Sequence, residues 1–206
     1  MKKISKTILM SSAFSLVLPT SFFASFNSAY ASLIEKFGTP IGIEIGSGHY
    51  VALEESSSLP WGGYDIDIPN LDEKASNYNG LEPTKIILAY GQENNISYPA
   101  AEYAHNYAPA ACAPGSWCGS GNWYLPGDGE LSRLFRQNAY GISYWDVASG
   151  VKATLKFLNL PELRGQYWTS TEATYDPATK ATKIYGGTHS NVKKTDSYRV
   201  RPFLRR

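Results

Sequence analysis

The chain predicts an α+β domain in which short antiparallel strands at both ends enclose helices near the middle. Strict apolar alternation in Ile41-Gly-Ile43-Glu-Ile45, and again from Tyr198 to Leu204, marks the two ends as strands. Between them, apolar residues recur at helical spacing after Pro99 and again after Pro126. Aromatic residues make up 14% of the chain, and 18 Gly and 12 Pro are spread through it rather than gathered into a linker. That composition belongs to a loop-rich domain with many short elements, not to a helical bundle.

Residues 1–31 read as a cleavable secretory signal. Lys2, Lys3 and Lys6 precede an apolar run through Phe14, Leu16–Leu18 and Phe22–Ala24, and Ala29-Tyr-Ala31 places small residues where a signal peptidase reads. Ser11, Ser12, Ser15, Pro19, Thr20 and Ser21 interrupt the run, so it falls short of the roughly 20 consecutive apolar residues of a membrane span. Residues 32–206 then form a single exported domain, extracellular, on the cell surface or periplasmic, with enough chain to bury a core. Without the signal's three lysines it holds two more acids than bases, which argues against a chain built to wrap nucleic acid.

Along this domain, Ile41–Ile45 and His49–Leu53 flank Gly46-Ser-Gly48 and predict a β-hairpin. Glu54–Glu82, punctuated by Pro60, Gly62, Gly63, Pro69 and Gly80, reads as irregular loop. Pro99–Tyr107 predicts a helix with Ala100, Tyr103, Ala104 and Tyr107 on one face. A second helix follows Pro126, burying Leu131, Leu134 and Phe135 with Arg133, Arg136 and Gln137 outward, and a third runs from Val151 to Leu158 before Pro161. Gln166–Thr171, Thr182–Tyr185 and Tyr198–Leu204 predict strands, with Tyr198, Val200 and Pro202 on one side of the last.

The only cysteines, Cys112 and Cys118, flank Ala-Pro-Gly-Ser-Trp. In an oxidising compartment such a pair most simply closes a small disulfide loop, since a redox site usually spaces its cysteines by two residues. His49, His105 and His189 lie far apart with no ligand spacing, so no metal and no cofactor is implied. Asp65, Asp67, Asp72 and Glu73 could gather oxygens for calcium, but the sequence does not assemble the roughly six ligands such a site needs.

Trp123-Tyr-Leu-Pro-Gly-Asp-Gly-Glu-Leu131, Tyr167-Trp-Thr-Ser-Thr-Glu172 and Tyr198-Arg-Val-Arg-Pro-Phe203 together resemble, in order, three segments of the C-terminal domains of bacterial collagen-like adhesins. The opening Ile41–Leu53 hairpin fits that group's entry strand, and the resemblance runs from about Gly38 to Phe203. It implies a C-type-lectin-like fold, with two helices flanking small antiparallel sheets and the terminal strands paired. Gly127 replaces the group's helix-capping Ser, so only Glu130 of that capping box remains, and Asp128 is placed to cap one residue on. Trp123 and Trp168 are expected as core aromatics. A distant branch of the fold contains formylglycine-generating enzymes, but Cys112 and Cys118 do not match that chemistry, and no nucleophile–base pair is visible.

These readings predict a non-enzymatic binding module for an extracellular glycan, sulfated in one version, or for a protein ligand. The alternative is an envelope-associated structural protein that engages only a protein partner. After Glu172 the chain mixes Tyr, Gly, Asn and basic residues, the chemistry of adaptable contact surfaces. The candidate contact residues are Tyr175, Tyr185, His189, Lys193, Lys194 and Arg199, in a stretch where eight bases face one acid between Lys180 and Arg206.

Overall fold

A computed structural model of the chain describes residues 33–71, 78–135, 144–163 and 165–206. The signal segment, Asp72, Glu73, Arg136 and Gln137 lie outside the described residues. The fold is α+β with three antiparallel sheets. The largest has the order β1 (Leu33–Lys36), β2 (Thr39–Gly46), β3 (His49–Ala52), β10 (Phe203–Arg205), β5 (Trp123–Tyr124).

The opening hairpin is β2–β3, turning at Ser47-Gly48 and preceded by β1. Ile41, Ile43 and Ile45 are buried while Glu44 is exposed, as the alternation requires. β10 inserts between β3 and β5, with Phe203 opposite Val51 on one side and Tyr124 on the other. The two ends of the described chain therefore share one sheet.

Four helices lie among the described residues. α1 (Leu81–Asn94) has no counterpart in the sequence-based expectation; Pro83, Gly91 and the Ile86-Ile-Leu88 run obscure its period. Its start packs tightly on the segment before α3: a Cβ on Gly80 would sit 2.2 Å from the Leu125 carbonyl oxygen. α2 (Pro99–Asn106) buries Ala100 and Ala104, and Tyr107 just beyond it, as expected, but buries Ala101 as well and leaves Tyr103 half-buried. α3 is only a short turn, Asp128–Ser132, though Leu131 and Leu134 are buried as the sequence requires. α4 (Tyr144–Phe157) begins earlier than Val151, with Val151 and Leu155 one helical turn apart in the core.

Two further expectations need correction. The segment from Glu54 to Glu82 contains β4 (Leu59–Pro60), which pairs with β9 (Ser197–Tyr198), and it ends inside α1. The closing run is two strands rather than one. Pro202 has no N–H for a ladder, and Arg201 turns inward to bond the Ala52 and Leu53 carbonyls, so the chain leaves β9 before entering β10.

The third sheet, β6 (Gln166–Glu172), β7 (Lys180–Tyr185) and β8 (Thr188–Lys193), stands apart from the first. Trp61, Tyr98, Leu125, Trp168 and Val200 form the core beneath it, and Trp123 centres a separate cluster with Tyr107 and both cysteines. Cys112 and Cys118 are bridged, and Trp123 Nε1 donates to the Cys118 carbonyl at 2.8 Å.

Candidate ligand-binding surface

The β7–β8 hairpin carries most of the candidate contact residues. Gly186 and Gly187, both at positive φ, make its two-residue turn, a conformation Gly adopts without steric cost. Six consecutive pairs then run in unbroken register from Tyr185–Thr188 to Lys180–Lys193. Over the five steps of β7, at about 3.4 Å each, the ends of the hairpin stand roughly 17 Å apart.

Two aromatic and basic groupings mark those ends. Beyond the start of β7, Tyr175 is 69% exposed, and Lys180 Nζ lies 4.9 Å from its ring centroid. Lys180 is also 3.3 Å from Asp176, whose carboxyl is held below its ordinary value chiefly by the Thr179 hydroxyl. Lys193 stands opposite Lys180 and is exposed. At the turn end, Tyr185 is 61% exposed and pairs with Gln166. Lys183 bonds Gln166 and sits 5.0 Å from the Tyr198 ring, which packs edge-on against buried Trp168.

The remaining candidates are placed differently. His189 lies on the face toward α3, and its Nδ1 meets the Asp128 carboxylate at 2.5 Å. At the start of α3 the Thr171 hydroxyl accepts from the Asp128 N–H at 3.3 Å, and Glu130 accepts from the Gly127 N–H at 2.9 Å. Arg199 is half-exposed and lies 3.4 Å from Glu55, which also accepts from Arg201 and from the Tyr167 hydroxyl. Lys194 is fully buried, bonded to Glu172 and to the Ile66 carbonyl, and covered by the Trp61 ring at 4.6 Å. The eight C-terminal bases are therefore not one basic face. Two are interior, Arg199 lies against Glu55 and Lys180 against Asp176.

The buried titratable groups are engaged by the fold. Glu130, 1% exposed, accepts from the Gly80 and Gly127 N–H groups at 2.7 and 2.9 Å and from the Tyr124 hydroxyl at 3.0 Å, with His49 Nε2 at 3.3 Å. Burial pushes its carboxyl up, but these bonds together outweigh burial and hold it below the usual glutamate value. The network ties the start of α1, the start of α3, β5 and β3 to one carboxylate. Sequence reading had assigned Glu130 to the cap; its reach to Gly80, fifty residues away, has no local signal.

A groove of about 590 Å³ between α1 and α2 is lined by Gln92, Asn95, Ser97, Glu102 and His105 among others. Glu102 is committed there to the Ser97 hydroxyl and the Tyr98 N–H, which starts α2. Among the described residues, no three His, Cys, Asp or Glu side chains converge as metal ligands, and no helix is long and apolar enough to cross a membrane.

No family model matches the chain, and no curated protein matches it in sequence. In structure it is similar to a fimbrial protein from Bacteroides ovatus ATCC 8483, with a TM-score of 0.56 and 17% identity. The match covers 77% of this chain and 35% of that one, so the chain spans about a third of the fimbrial protein's length. At that identity the likeness is one of fold: the α+β arrangement with antiparallel sheets has a solved counterpart.

Proposed function

We propose that this chain is an exported, non-catalytic binding module that holds a glycan or a surface protein across the β7–β8 hairpin, with adhesion at the cell exterior as its use. The observation that carries the reading is the pair of exposed tyrosines, Tyr175 in the turn before β7 with Lys180 against its ring, and Tyr185 at the turn end of the β7–β8 hairpin. Large aromatics are ordinarily buried, and a rigid platform offers them to a ligand at low entropic cost. A hairpin roughly 17 Å long suits an extended ligand of several units better than a single small molecule.

Three further points support it. The neighbour in structure is described as a fimbrial protein, a cell-surface context. A bridged cysteine pair fits an oxidising compartment, in line with the predicted signal segment. The pairing of β3 with β10, and the helices between them, agree with the C-type-lectin-like fold implied by the resemblance to collagen-like adhesin domains. Absence of catalysis rests on the engagement of the buried acids: Glu130 serves caps, Glu55 serves Arg201 and Tyr167, and Glu172 serves Lys194.

The inward placement of Lys194 and Arg201 and the position of Arg199 at Glu55 shift the expected ligand away from a strongly sulfated chain and toward one read by tyrosines. The test is binding of the purified protein to an array of neutral and sulfated glycans at physiological salt, with and without calcium. Selective calcium-independent binding lost in Tyr175→Ala and Tyr185→Ala supports the reading. A blank array from folded, disulfide-intact protein removes the glycan and leaves a surface protein, to be sought as a stable complex from envelope extracts.

A further inference from the structure

The ligand surface makes no use of one fully buried pair among the described residues, Lys194 and Glu172. The Lys194 side chain is 0% exposed and that of Glu172 4%, and the amine lies directly against the carboxylate. Lys194 Nζ has one other bond, to the Ile66 carbonyl at 2.7 Å, and the Trp61 ring roofs it at 4.6 Å. Trp61 is itself fixed by its indole N–H on the Thr169 carbonyl and by Tyr98 packed edge-on. Both partners are held by backbone on each side: Trp61 N–H bonds the Lys194 carbonyl, Lys194 N–H the Thr179 carbonyl, and Ala173, next to Glu172, bonds Lys180. The two groups thus meet in a walled, water-excluded site with their positions fixed.

An ion pair in such a site has lost the hydration of both charges and regains only part of it. Burial pushes the Glu172 carboxyl up to about 7, and burial likewise pulls the Lys194 amine below its usual value, although each partner opposes the shift of the other. Both directions lower the cost of moving a proton from ammonium to carboxylate, and the form so reached holds a neutral amine, the nucleophilic form of lysine, beside a protonated carboxyl, the electrophilic form of glutamate. Fixed contact between nucleophile and electrophile supplies the proximity that an intermolecular amide condensation lacks in water.

We propose that Lys194 and Glu172 form an intramolecular isopeptide bond, joining the end of β6 to the residue that follows β8. Lys194 Nζ adds to Glu172 Cδ, one C–O bond of the carboxyl breaks, and the oxygen leaves as water with the protons from the amine and the acid. The product is a neutral secondary amide, with no oxidant or cofactor consumed. It replaces two buried charges by one polar group whose N–H can keep the Ile66 carbonyl as acceptor. It also closes the three-stranded sheet covalently beneath the proposed ligand surface, so that force or proteolysis there would not separate β6 from the end of β8.

Intact-mass spectrometry of the purified full protein tests this directly. The expected result is a mass below that of the processed sequence by one water, in addition to the two hydrogens lost at Cys112–Cys118. A tryptic digest after reduction should yield a branched peptide joining Lys194 to Glu172, and Lys194→Met should restore the missing water. A folded wild-type protein with the full mass, or a deficit that maps to another pair of residues, overturns the proposal. Because the decisive reading is on the wild type, it stands even if the variant does not fold.

Discussion

The two ends of the molecule use polar and aromatic residues in opposite ways. Around the five-stranded sheet, a set of such groups is turned inward: Tyr124 and His49 meet Glu130, Arg201 bonds backbone carbonyls, and Trp123 bonds Cys118. Around the β7–β8 hairpin, Tyr175, Tyr185, Lys183 and Lys193 remain on the outside although the core beneath them is closed by Trp61 and Trp168. The contrast separates residues that hold the fold from residues the fold holds out. Mutations at the first end should cost stability, and mutations at the second should cost binding alone.

The largest expected effect is at Glu130. Glu130→Ala leaves two helix-start N–H groups, a buried tyrosine hydroxyl and His49 without their common acceptor, and should cost about 3–5 kcal/mol in urea unfolding. The pH dependence has a defined sign. The folded carboxyl is held below its ordinary 4.5, so its contribution is complete above that value and is lost as pH falls through the lower folded value. Acid unfolding of Glu130→Gln should lack that component. An unchanged acid limb would show that the carboxylate does not hold α1, α3, β5 and β3 together.

Next in size is the disulfide. Cys112 and Cys118 close a short loop over the Trp123 cluster, and replacing both with Ser should cost about 2 kcal/mol by the loop-entropy estimate. Ligand binding should be unaffected, since the bridge belongs to the first end. Loss of binding by a folded double-Ser variant would mean that the two ends are coupled.

How far the sequence made this division legible depends on the range of each interaction. The β2–β3 hairpin, α2 and strand β7 follow from local periodicity and turn residues and stand where expected, whereas β8 (Thr188–Lys193), a polar run with no apolar alternation, was not expected as a strand. α1 was hidden because Pro83 and Gly91 are helix-breaking types, here placed in the first turn and against Tyr98. The short pairing of β4 with β9 joins residues about 138 positions apart, and no periodic pattern is possible in a two-residue strand. The contact residues divide in the same way. Tyr175 stands in the turn between β6 and β7 and Tyr185 at the end of β7, both exposed, whereas Lys193 and Lys194 differ by a single position on the chain. One register step sends the second of them to the interior, and only the three-dimensional partners, Glu172 and Trp61, identify it.

At the second end, Tyr175→Ala and Tyr185→Ala should each change unfolding stability by no more than about 0.5 kcal/mol, since both rings are largely exposed. Each should weaken ligand binding by about tenfold or more if the rings are anchors, read by titration on the strongest array ligand. A stability loss without a binding loss would move both tyrosines to the structural side of the comparison.

The smallest expected effect is at Lys193, and it sharpens what kind of ligand the hairpin takes. A sulfated chain would draw most of its affinity from lysines and would lose it steeply with salt, because screening shortens the reach of exposed charges to about 8 Å at physiological ionic strength. This surface has few cations to give: Lys194 is interior, Lys180 shares its charge with Asp176, and Lys183 is engaged by Gln166. Lys193 is then the most available, and one exposed charge is worth about 1 kcal/mol or less. Lys193→Ala should therefore lower affinity by less than about fivefold, with a shallow dependence on salt in wild type and variant alike. A larger loss together with a steep salt dependence would assign the ligand's recognition to charge, and the tyrosines would then frame an anionic site rather than constitute the site themselves.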